Sequence, residues 1–275
     1  MYQDLIDSAP TGSSGGSIEC TVDAGVAVVV ISNEAARNAL TITMWRQLEL
    51  LFTELGQDAT LRAVVLRGAG TDAFAAGADI SEFPSQRMDA STASGYNSQL
   101  SRTLQAVADL EVPTIAMIHG FAVGGGCEVS NACDLRIGSD RVKIGIPIGK
   151  LGVILGLTES RMLVRHIGVN GLKRVLFSGE LFDSPSSLQL GLLDEVVPAA
   201  ELSARVASLV ETIVASSATT MRAAKVVTDI AATVNDSDAE KLQALTVATY
   251  DGADLKEGVA AFLEKRRPDF SQRVH

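Results

Sequence analysis

Two short β-rich runs, LRAVVLRG at 61–68 and VPTIAMIHG at 112–120, each end in glycine and each follow a stretch with helical spacing. Strands that alternate with helices imply an α/β core. DLRIGS and VKIGIP, further along, predict two more strands. Ahead of them SIECTVDAGVAVVVIS predicts a hairpin that turns at Asp23-Ala24-Gly25, because two β-rich runs flank turn residues. From Thr41 to Leu55 the apolar spacing becomes helical behind a threonine cap. Beyond about Ala199 the strand signals end, and ELSARVASLVETIVASS, SDAEKLQALTVATY and LKEGVAAFLEKRR predict three helices. The small, polar SAPTGSSGGS at 8–17 predicts a flexible lead-in. The expected plan is a flexible segment at 1–17, an α/β core at 18–199 and a helical region at 200–275.

Composition narrows the function classes. The 275 residues are 47% hydrophobic and 20% charged, enough for a sizeable buried core. A net charge of -10 argues against a nucleic-acid or anionic-membrane binder, so an anionic ligand must be held by local groups. Cys20, Cys127 and Cys133 are odd in number and lack zinc-ligand spacing, which predicts reduced thiols and no metal site. With no signal-peptide pattern and no apolar run of about 18 residues, a cytoplasmic protein is expected.

Chemistry is expected in the glycine loops that follow the strands. In the first, Gly68-Ala69-Gly70-Thr71-Asp72-Ala73 matches a dinucleotide fingerprint by spacing alone, but a second small-residue loop follows where a long helix should begin. The second, GFAVGGGCEVSNACD at 120–134, sets three glycines before Glu128 at a helix start. Glycines there admit a ligand to the backbone, and a helix N-terminus offers unpaired N–H donors suited to a developing oxyanion. The plainer role is tight packing of strand on helix.

AFAAGADISEF, followed by VPTIAMIHGFAVGGGCEVSNACDLRIGS, resembles the crotonase superfamily, the enoyl-CoA hydratase and isomerase family. The likeness continues through SGELFDSPSSLQLGLLDEVVP to EGVAAFLEKRRPDF, so it covers nearly all of Ile18 to Phe270. It implies a crotonase (ClpP-like) fold, a spiral of ββα units with a helical C-terminal region that forms trimers or dimers of trimers. It implies an acyl-CoA thioester substrate, coenzyme A entering as part of that substrate with no separate cofactor. The oxyanion donors would be the N–H groups of Ala78 and Gly125, with Glu128 as acid–base group. Arg37 would meet a CoA phosphate, with Ala39, Ala76 and Asp79 along the nucleotide. Ile80, Gly124, Ile148 and Leu155 would complete the substrate site, and Phe262 and Lys265 would reach a neighbouring subunit's CoA. The bland role for Lys265 is a cation at a helix C-terminus.

The resemblance breaks at the second acid. Hydratases of the family carry another glutamate in a GxPE segment, and here IGIPIGKLG sets Ile148 at that place. An alkyl group cannot transfer protons, so two-glutamate hydration in its usual form is not expected. Three options follow. Glu128 works alone as the shuttling base of an isomerase; Glu159, in LGLTESRML, reaches back as a second acid; or the protein binds acyl-CoA without chemistry. Glu159 also has a plain explanation, as a carboxylate at an expected helix start.

Overall fold

The computed structural model describes residues 2–8, 16–83, 90–233, 246 and 253–270. Strands β1 (Ser17–Asp23) and β2 (Val26–Ser32) form the expected antiparallel hairpin. Its two turn residues, Ala24 and Gly25, have φ of 46° and 79°, the left-handed geometry that a tight two-residue hairpin turn demands. From β2 the sheet grows in parallel through β3 (Ala63–Gly68), giving the start of a six-stranded order that ends at Glu195–Val197.

Three consecutive units repeat one plan. β3 is followed by β4 (Ala73–Ala75) and helix α3 (Ala90–Ala108). Next come β5 (Thr114–Ile118), β6 (Phe121–Val123) and α4 (Gly125–Ala132). The third unit is β7 (Leu135–Ser139), β8 (Lys143–Gly145) and α5 (Leu157–Ser178), the last kinked where Gly168 leaves the helical region at φ 66°. The first strand of each unit joins the six-stranded sheet, and the second joins a four-stranded sheet in the order β4, β6, β8, β9 (Phe182–Asp183). This is the spiral of ββα units. β4 and β6 fall in stretches whose sequence predicts loop, because three small or mixed residues beside glycines display no alternation.

Alternation in β2 sorts the core into two layers. Ala27, Val29 and Ile31 face one cluster together with Trp45, Leu48 and Phe52 of helix α2 (Ile42–Leu55). Val26, Val28 and Val30 face the other, with Leu202, Val206 and Val210. Each fully buried Leu, Val or Phe contributes roughly 1.5–3 kcal/mol of transfer free energy, so both faces of this sheet are strongly fixed. The α2 cap is as expected: Thr41 Oγ1 accepts from the Met44 N–H at 3.2 Å.

Two expectations need correction. The lead-in contains a helix, α1 (Gln3–Asp7), whose Ile6 is buried with Tyr2 in the second cluster, while residues 9–15 lie outside those described. The C-terminal region holds α6 (Leu202–Val214) and the terminal helix (Ala253–Glu264) as expected, and also a helix at Ala218–Thr233 that the sequence does not predict. The helix expected around 237–250 falls outside the described residues, apart from Thr246. Among the described residues no helix is long and apolar enough to cross a membrane.

A buried polar cluster ties β7 to α5. The Arg136 guanidinium, 1% exposed, pairs with Asp194 at 2.7 Å and lies 3.3 Å from both ring nitrogens of His166. Burial, and then the Arg136 charge, push the His166 pKa down from 6.5 to about 4. The folded state therefore favours the neutral ring, and on acidification the unfolded chain takes up this proton first. Stability from this group is present above pH 6.5 and is lost as pH falls toward about 4. We expect His166→Gln to flatten the decline of the urea-unfolding midpoint across that window, relative to the parent chain.

Candidate active site

A cavity of about 140 Å³ opens where the β4 and β6 ends meet α3, α4 and the loop before α5. One wall is the loop after β4. The 37–40 segment zips onto it: the Ala76 N–H donates to Arg37 O at 2.9 Å, the Leu40 N–H to Gly77 O at 2.7 Å, and the Asp79 N–H to Leu40 O at 2.9 Å. That ladder leaves the Ala78 N–H unused. Arg37 and Asn38 reach this register through left-handed backbone, with φ of 52° and 58°. Asn38 is buried and locks the bend by donating to Ala69 O at 2.9 Å and Ala73 O at 2.8 Å.

The facing wall is the glycine run. Gly124, at φ 52°, turns the chain out of β6, and its N–H donates to Gly145 O at 2.9 Å. Gly125 then begins α4, so its N–H belongs to the first turn, which has no partner within the helix. A methyl on Gly125 would stand 2.8 Å from Trp45 Cζ2 and 3.6 Å from Ala78 N. The Gly125 backbone thus lies directly against the Ala78 amide. A methyl on Gly126 would overlap Ala75 O, so this glycine serves close packing. The packing role expected of the glycines is thus found at Gly126.

Glu128 follows one turn into α4; it is 6% exposed and lines the cavity. Ala78, Ile80, Gly124, Ile148 and Leu155 line it too, and so does Ala76, which the sequence placed along the nucleotide with Ala39 and Asp79. Ile148 adds an apolar surface with Leu151, Val153 and Ile154. Asp79 sits at the edge and is used locally, its carboxylate accepting from the Ser81 N–H at 2.9 Å. Arg37 and Ala39 lie behind the 76–79 loop outside the cavity lining, with the Arg37 guanidinium 5.2 Å from the Phe121 ring centroid. Lys265 is exposed just beyond the terminal helix and is not among the lining residues, and the Phe262 side chain lies outside the described residues.

Sequence reasoning passed over Trp45 and Tyr96, which line the cavity and are joined by a bond from Trp45 Nε1–H to Tyr96 Oη at 3.0 Å. Trp45 gave no signal beyond its place on an apolar helical stripe. Cys127 and Cys133 are fully buried; burial pushes both thiols up, Cys133 to about 12, so neither is a nucleophile at neutral pH. Among the described residues no cluster of His, Cys, Asp and Glu is arranged to hold a metal ion.

The family model for enoyl-CoA hydratase/isomerase matches residues 21–273. The chain belongs to the enoyl-CoA hydratase/isomerase family. It is 34% identical to a probable enoyl-CoA hydratase of Mycobacterium bovis over 91% of this chain and 96% of that one. It is 30% identical to the short-chain-enoyl-CoA hydratase of Clostridium acetobutylicum over 88% and 92% of the two chains. A crystal structure of an enoyl-CoA hydratase from Bacillus anthracis superposes with a TM-score of 0.86 at 29% identity, covering 92% of this chain and 98% of that one. One from Magnetospirillum magneticum, described as an enoyl-CoA hydratase/carnithine racemase, gives a TM-score of 0.87 at 33% identity, covering 92% and 94%. The expected crotonase fold is thereby established for this family member.

Proposed function

We propose that the protein is an enzyme acting on a short acyl-CoA thioester, with the thioester oxygen received by the Ala78 and Gly125 N–H groups and protons moved by Glu128. The observation that carries this reading is the convergence, on one largely apolar cavity, of two adjacent amide groups outside the local ladders and a buried carboxylate. Two N–H donors fixed in advance stabilise charge as it develops on the oxygen, and the low-polarity lining strengthens that effect. Glu128 then removes or returns a proton at carbon next to the thioester. The cavity, at about 140 Å³, is smaller than the roughly 300 Å³ at which pockets for drug-sized ligands begin, which supports a short hydrocarbon acyl group.

The nucleotide end of CoA lies along the 37–40 and 76–79 segments in this reading, with Arg37 on a phosphate and the backbone at Ala39, Ala76 and Asp79 beside it. Arg37→Ala should raise KM for the thioester roughly tenfold, the worth of one charge-assisted hydrogen bond, and leave kcat near its parent value. Association as a trimer or dimer of trimers, with Phe262 and Lys265 reaching the neighbouring CoA, belongs to the same proposal.

The test is turnover of a short trans-2-enoyl-CoA by the purified chain, with products resolved by mass spectrometry. A hydrated or double-bond-shifted thioester is the expected result. Tight binding with no product would overturn the enzymatic assignment in favour of a binding protein, the alternative that Ile148 favours.

A further inference from the structure

Loss of the usual second acid at Ile148 leaves a second carboxyl group in the cavity unexplained. Glu159 lies in the first turn of α5, and a carboxylate placed there only to meet the helix dipole gains most of its benefit while still hydrated. Glu159 is instead 3% exposed and lines the same cavity as Glu128. Ser101 on α3 donates its hydroxyl to Glu159 Oε1 at 2.7 Å, and the buried Oε2 has no hydrogen-bond partner. Burying a polar oxygen unpaired is unfavourable, and its place in the cavity points to a use beyond the fold. Gly156 supplies the room. Its φ of -69° suits any residue, yet a methyl group there would overlap Glu159 Oε2.

We propose that Glu159, positioned by Ser101 and Gly156, is the second carboxyl group of the site and equips it for hydration. The inference rests on the reading above, that an enoyl thioester binds with its oxygen at Ala78 and Gly125. In the reaction the oxygen of one water bonds to the β carbon while one carboxylate takes its proton. The π pair moves through the α carbon to the thioester oxygen. As the enolate collapses, the other carboxyl group gives a proton to the α carbon. Transfer of one proton between the two carboxyl groups then restores both, so the substrate gains one H2O and nothing is oxidised or reduced. Ile148 fills the space where the family's usual acid stands, and the acid enters from the start of α5.

The experiment compares hydration of a short trans-2-enoyl-CoA with exchange of the α hydrogens of a saturated acyl-CoA in deuterated water, which one base can perform. The parent chain should do both. Glu159→Gln should lose about 100-fold or more in hydration while still exchanging and still binding the thioester. Gly156→Ala keeps both carboxyl groups but moves Glu159 aside, and should lower hydration kcat at least tenfold with KM little changed. Ser101→Ala should shift kcat in the same direction, again without a KM change of similar size. Hydration by Glu159→Gln within threefold of the parent would overturn the proposal, as would a parent chain that exchanges but does not hydrate. If Glu159→Gln fails to bind thioester, Gly156→Ala decides, and full hydration by it overturns the proposal. A parent that neither hydrates nor exchanges sinks the underlying reading of the site instead.

Discussion

Replacing Glu128 by glutamine should cut turnover of an acyl-CoA substrate by about 100-fold to 10,000-fold, the range of general acid–base catalysis by one group. The substitution is close to isosteric and removes only the ability to take and return a proton. Glu128 lies within α4, among residues that are all buried, so a neutral amide of the same shape leaves the helix intact. Thioester affinity, read by calorimetry, should change less than threefold. Activity within tenfold of the parent would remove Glu128 from the mechanism and leave the site dependent on another group.

The second large effect is expected at the start of the same helix. Gly125→Ala introduces a methyl group 2.8 Å from Trp45 Cζ2 and 3.6 Å from Ala78 N, a gap too small to hold it without movement. Trp45 is fully buried and held through Tyr96, so the Gly125 backbone has to move away from the Ala78 amide. Separating the two donors should cost about 3 kcal/mol of transition-state stabilisation, roughly 100-fold in kcat, the scale seen when one oxyanion donor is lost. Ground-state affinity should fall much less, because the carbonyl of bound substrate carries little of the charge these donors meet. Steady-state kinetics with matched thioester binding separates the two. Equal losses in affinity and kcat/KM, with kcat unchanged, would mean that the methyl group merely blocks entry.

How far the sequence led depended on the length of each signal. The hairpin turn at Ala24-Gly25 and the Thr41 cap each couple a residue type to a backbone requirement, and both were found where expected. The glycine run before Glu128 was legible for the same reason, since Gly124 adopts a φ of 52° and Gly126 abuts Ala75 O. The three-residue strands β4 and β6 carried no period, although they bring the Ala78 and Gly125 backbones together. Glu159 shows the limit most clearly. In sequence it is an acid behind a threonine at a helix start, and that description holds for a solvated residue as well as for a buried one. Only the packing of α3 against α5, with Ser101 on one and Gly156 ahead of the other, distinguishes them.

The proposed function rests on formation of an enolate at the Ala78–Gly125 site with Glu128 as base, and exchange reports that step without requiring any net reaction. The decisive measurement is NMR of a saturated short acyl-CoA incubated with the protein in deuterated water, for the parent chain and for Glu128→Gln. Loss of the α-hydrogen signal is expected with the parent, and at least 100-fold slower loss with Glu128→Gln, at similar thioester affinity. Exchange at the uncatalysed rate by a parent chain that binds the thioester, or equal exchange by both proteins, would contradict the proposed function.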